Sequence, residues 1–140
     1  MTEPKWLTIA RQEQAKNIHE FPGSWQDNPE ILKYYKATSL DGSFHDEIPW
    51  CAAFVGWCLQ QAVIKPSGSA AAASYEYWGE DLGDTPKLGC IVVLPHHVTF
   101  YVGHVGTEWV TGLGGNQHDS VKESNYPVGD VISYRWPKEA

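Results

Sequence analysis

Basic residues are scarce. Ten Lys and Arg stand against 17 Asp and Glu, a formal net charge of -7. A general nucleic-acid binder needs clustered Lys and Arg for phosphate contacts, so that class is excluded. A polybasic membrane anchor is missing for the same reason. No apolar run approaches the about 18–20 residues of a membrane span. The first residues, Met1 to Arg11, are mixed polar and lack the apolar core of a signal peptide. A protein acting outside the cytoplasm would then need another route of delivery. There are only three cysteines, an odd number with no Cys-x-x-Cys spacing, so a secreted disulfide framework is not expected. One reactive thiol with two buried companions fits better.

Aromatics, by contrast, are plentiful. Seven Trp and seven Tyr in 140 residues let a small domain bury much area per residue. Hydrophobic residues reach 42% and charged ones 19%, a foldable composition of one-domain length.

The chain divides by pattern into a helical lead-in (1–48), a nucleophile helix with a following helix (49–79) and an antiparallel sheet (89–136). Trp6 to His19 reads as a weakly amphipathic helix, broken at Phe21-Pro22-Gly23-Ser24. Asn28-Pro29 opens a second helix, to about Ala37, and a polar loop follows from Leu40 to Ile48. Pro49 to about Ile64, PWCAAFVGWCLQQAVI, is apolar nearly all round, the mark of a buried helix. Ser69 caps a further helix to Gly79. Strands are expected at Ile91–Leu94, Val98–Val102, Glu108–Leu113 and Val131–Trp136, with a short one near Ser120–Glu123. Helices first and about five antiparallel strands later give an α+β class.

Cys51 carries the first chemical signal. It opens the buried helix, where the macrodipole and unpaired N–H groups favour the nucleophilic thiolate. Asp46 and Glu47, just upstream, would oppose that if close. Cys58 lies mid-helix, about 10 Å further along, too far for a disulfide with Cys51. Cys58 and Cys90 read as packed thiols. His97 begins a strand and His104 follows its end. In a straight strand their odd separation turns them to opposite faces, so only one can readily face Cys51. An imidazole base also needs an orienting group. Asn116 ends the next strand and returns beside His97 if the two strands pair; Asp119 is a substitute. Gly114-Gly115 before it allow close backbone approach or a tight turn. His96, His97, His104 and Cys90 match no zinc-ligand spacing, and the acidic loop with Asp41, Asp46 and Glu47 lacks EF-hand spacing.

PWCAAFVGWCLQQA, SGSAAAASYEYWG, IVVLPHHVTFYVG and LGGNQHDSV, in that order, together resemble a compact family of bacterial and phage cell-wall hydrolases. These are the CHAP and NlpC-like branch of the papain-like cysteine peptidase clan. The lead-in HEFPGSWQDNPEILKYYKAT and DEIPWC extend the likeness over nearly the whole chain. The resemblance implies a papain-like core with Cys51 as nucleophile, His97 as base and Asn116 as orienter. Trp50 and Gln117 match family neighbours and, with Tyr101, are taken as substrate-binding; Trp78 and Trp109 are further groove candidates. Two departures stand out. The usual Gly-Asp is Gly89-Cys90, and the usual Gly-His-Val is His96-His97-Val98, while a literal Gly-His-Val occurs at 103–105.

The implied activity is hydrolysis of a peptidoglycan stem amide, as an N-acetylmuramoyl-L-alanine amidase or endopeptidase, through a thioester and without a cofactor. A monomeric phage endolysin released through a holin fits. So does a secreted effector acting in the periplasm, paired with an immunity protein. The alternatives are an inactive wall-binding or structural phage module of the same fold, and a zinc-binding module.

Overall fold

A computed structural model describes residues 3–16, 18, 33–34, 50–69, 71–117 and 120–138, with only the backbone of Asn116. The fold is α+β: two α-helices and a six-stranded antiparallel sheet among the described residues. The helices are α1, Lys5–Ala15, and α2, Cys51–Gln61. The strands are β1, Glu80–Asp81; β2, Ile91–Leu94; β3, His97–Val105; β4, Trp109–Gln117; β5, Ser120–Pro127; and β6, Ser133–Trp136. Their order across the sheet is β1-β6-β2-β3-β4-β5.

The apolar helix takes the central place expected of it. Residues 51–56, Cys58 and Leu59 of α2 are buried. They join Val98 and Phe100 of β3 and Leu113 of β4 in the main core, with the Phe54 and Phe100 rings 6.4 Å apart. Trp50 packs beneath, stacked on Tyr34 at 5.9 Å. On the opposite sheet face Cys90, Val92, Leu94, Tyr101, Val110 and Tyr134 form a second cluster. At the near end Trp6 of α1 donates its indole N–H to Gly89 O at 2.7 Å and meets Trp136 edge-on.

Several expectations change. The first helix stops at Ala15, not His19. The expected helix over 69–79 is a single 3-10 turn, Ala72–Tyr75. Its alanines favour helix, but serine hydroxyls compete for the backbone: Ser69 Oγ accepts from the Ala71 N–H and Ser67 Oγ from the Ser69 N–H. Burial of Tyr75 then fixes the turn. The described residues form six strands, not about five, because Glu80–Asp81 adds an edge pair on β6. β3, β4 and β5 all run longer than expected. The helix at 29–37, apart from Lys33 and Tyr34, and the loop at 40–48 lie outside the described residues, as does Asp119.

The extension of β4 has a steric reason. Gly114 and Gly115 do not end the strand; they thin it. A Cβ at Gly114 would lie 2.6 Å from Thr99 Oγ1 and 2.7 Å from Gln117 Oε1. A Cβ at Gly115 would lie 2.6 Å from the Trp50 ring on the helix side. The glycines thus serve close approach from both faces.

Candidate active site

The hairpin β2–β3 brings the chemistry to one end of the sheet. Leu94 pairs with His97 across the two-residue turn Pro95-His96. Val98 and Phe100 point into the core under α2. His97 and Thr99 leave on the other face, as strand alternation requires. That face carries Tyr126 of β5 and Gln117 at the end of β4.

Gln117 sets the orientation of His97. It is 2% exposed. Its amide Nε2 donates to Gly112 O at 3.0 Å and to Lys122 O at 2.6 Å. Two carbonyls fix the NH2 end, so Oε1 must be the acceptor facing the site. Thr99 Oγ1 donates to it at 2.7 Å, and His97 Nε2 lies 3.1 Å away. An acceptor there requires the proton on Nε2. Tyr126 Oη, 3.1 Å from the same nitrogen, shares that N–H. Nδ1 is left without its proton, with no partner among the described residues, and is the nitrogen able to act as base.

Cys51 comes to this strand from the helix side. It is the first residue of α2. The first intrahelical bond is Phe54 N–H to Trp50 O, so the N–H groups ahead of Phe54 are free of helical partners. The N–H groups of Val98, Ala52 and Cys51 itself favour the thiolate, but burial outweighs them and pushes the thiol above its ordinary value. The expectation of a thiol lowered by its helix end is therefore corrected. Desolvation of a sulfur only 3% exposed exceeds the pull of these N–H groups. Burial likewise holds His97 below its ordinary value, against the bond from Gln117. Both shifts favour a neutral thiol and a neutral imidazole over an ion pair. No hydrogen bond joins Cys51 to His97 directly among the described residues. The Val98 N–H that favours the Cys51 thiolate lies one peptide bond from His97, and the Tyr126 hydroxyl lies 3.1 Å from His97 Nε2. Burial pushes that phenol up to about 12, and the nearby Cys51 adds to the rise.

This pair makes a pH prediction. Alkylation of Cys51 by iodoacetamide should keep rising beyond pH 9, because the folded thiol ionises later than a free one. A plateau between pH 5 and 7, read by peptide mapping, would instead mean a preformed thiolate.

Cys51 opens onto a cleft of about 510 Å³, lined in part by Ala71–Ala73, Leu94, Pro95 and Ile132. The expected substrate-binding residues are elsewhere. Trp50 is fully buried under Tyr34. Tyr101 sits in the second cluster and its hydroxyl meets His104 Nδ1 at 2.8 Å. Gln117 holds His97 and does not line the cleft. Trp78 lines a separate cleft of about 310 Å³ with Lys65 and Lys138. Trp109 is at the far end of the β3–β4 hairpin, paired with Val105.

One further correction concerns His104. A bulge between Tyr101 and Gly103 resets the alternation, so His104 pairs with Val110 on the face of Tyr101. The parity argument against His104 therefore fails; distance along the strand and its bond to Tyr101 set it apart instead. Asn116 lies in β4, but its side chain is outside the described residues. The side chain that reaches His97 is that of Gln117, its neighbour. The sequence signal lay in the Asn-Gln pair, of which register along β4 favours Asn116 and the described hydrogen bond uses Gln117. The β4–β5 pairing shifts between Gly114 and Gln117.

Cys58 and Cys90 are free and buried, and burial raises both thiols, Cys90 to about 12. Among the described residues no three His, Cys, Asp or Glu side chains cluster as a metal site, and no helix is long and apolar enough to cross a membrane. No protein-family model matches the chain, and no curated protein or solved structure matches it either.

Proposed function

We propose that the protein is a papain-like cysteine hydrolase cleaving an amide of the peptidoglycan peptide stem. One observation carries the reading: a helix-opening Cys51 at an open cleft, its thiol at the backbone N–H of Val98, next in the chain to a His97 whose tautomer is set by the buried Gln117 amide. The four sequence blocks supply the substrate class. In the proposed reaction Cys51 Sγ attacks the amide carbonyl while His97 Nδ1 takes the thiol proton. The Cys51 N–H at the start of α2 offers a donor for the oxyanion. The C–N bond then breaks and His97 returns the proton to the leaving amine. Water, deprotonated by His97, attacks the thioester, and the thiol is restored. Because both groups rest neutral, the proton moves during attack. Delivery by a holin or a secretion system, the latter with an immunity protein, belongs to the same proposal.

The buried, raised thiol favours a second reading, a wall-binding module in which Cys51 only packs. Incubation with purified Gram-negative peptidoglycan, followed by mass spectrometry, separates the two. The hydrolase reading expects new fragments whose ends name the bond. Protein that co-sediments with an intact wall supports the binding module.

A further inference from the structure

The lining of the Cys51 cleft is mostly small and apolar. Two side chains break that pattern, Glu76 and His96. In an apolar cleft a few polar groups set which ligand fits and how it lies.

Glu76 follows the 3-10 turn Ala72–Tyr75 and is partly buried. Among the described residues its carboxylate has no hydrogen-bond or ion-pair partner. It is the one acidic side chain in the described lining of this cleft. A carboxylate in the cleft wall does not help the attack, since it can only repel a developing thiolate. Its value there is toward the ligand. His96 supports the same view. It holds φ at +61° in the turn Pro95-His96, a conformation glycine adopts without strain and histidine does not. Strained positions of this kind cluster at sites that use the side chain.

We infer that Glu76 makes the Cys51 cleft selective for ligands with a positively charged amine close to the bond attacked, with His96 as the flanking polar contact. For the hydrolase reading, on which this identity of the substrate rests, the preferred fragment carries a free amine beside the scissile amide. A carboxylate or an acylated amine in that place is disfavoured.

The test uses the thiol itself, so it does not depend on turnover. Aminoethyl, methyl and sulfonatoethyl methanethiosulfonate are cationic, neutral and anionic. Each forms a mixed disulfide with the Cys51 thiolate and releases methanesulfinate. Rates at Cys51 are read by peptide mapping. The cation-to-anion rate ratio should fall roughly 3- to 10-fold in Glu76→Gln. It should fall in the same direction for wild type in high salt. Glu76→Asp should keep part of the preference. An unchanged ratio in Glu76→Gln overturns the inference, as does a Cys51 that no reagent reaches in the folded protein. With wall fragments, Glu76→Gln should raise KM for free-amine substrates, leave kcat near wild type, and lose the preference over N-acetylated ones. Cleavage of the wall with an unmoved ratio would remove this inference and leave the hydrolase reading. A shifted ratio without cleavage would do the reverse.

Discussion

Cys51→Ala is expected to lower peptidoglycan cleavage by roughly 10⁴-fold or more, because in the proposed reaction the Cys51 thiol forms the acyl bond. The fold should survive. The residue is 3% exposed and the change removes one sulfur, so a loss of about 1 kcal/mol is expected. Cys58→Ala is the matching control. Cys58 is fully buried in mid-helix, and its removal should cost comparable stability with activity retained. Cleavage rates beside thermal melts of both variants check the pair. Equal activity losses would mean that packing of α2, and not the Cys51 thiol, governs turnover.

Gln117→Leu is expected to damage stability and activity together. The substitution leaves Gly112 O and Thr99 Oγ1, both buried, and the part-buried Lys122 O without the amide. Unsatisfied buried groups cost about 1–3 kcal/mol each, so a loss of about 3 kcal/mol or more follows. Activity should fall roughly 10²-fold or more, since His97 loses the acceptor that keeps its proton on Nε2. A merely structural role would not move the pH profile; a positioning role does. The Gln117 bond raises the His97 pKa, so removing it lowers that pKa further. The base must be neutral to act. Activity therefore sets in above the His97 pKa, and the acid limb of kcat/KM should move to lower pH. Asn116→Leu is the counter-test. If Asn116 orients His97, as register along β4 first implied, that variant shows the shift and Gln117→Leu does not.

The parts of the fold with strong periodicity were legible. α2 is apolar nearly all round up to Gln60, and residues 51–56, Cys58 and Leu59 are buried. β2 is bounded by Gly89 and Pro95 and spans the expected Ile91–Leu94, while β3 contains the expected Val98–Val102 and runs past Gly103. The errors fall where a tertiary contact outweighs a local signal. Gly114-Gly115 do not end β4 as expected, although the close approach they allow is present, with Trp50, Thr99 and Gln117 filling the space of the missing side chains. Ala71 to Ala73 looked helical, but Ser67, Ser69 and Tyr75 hold them in a turn. His97 was legible from its place at the start of β3, although the bulge at Tyr101/Gly103 undoes the parity that set it against His104. Trp50, beside the thiol in sequence, looked like a groove residue; its stacking on Tyr34 is a contact between distant segments. The thiol's upward shift was not legible either. A helix end can be read from a sequence, but the degree of burial that overrides it cannot.

The central claim is that Cys51 becomes acylated. Wild-type protein mixed with a soluble stem-peptide fragment and acid-quenched within a turnover should gain the acyl mass by intact-protein mass spectrometry. Mapping should place it on the peptide containing Cys51, in a form cleaved by hydroxylamine. Products formed at the same rate by Cys51→Ala, with no added mass on wild type, would contradict the account.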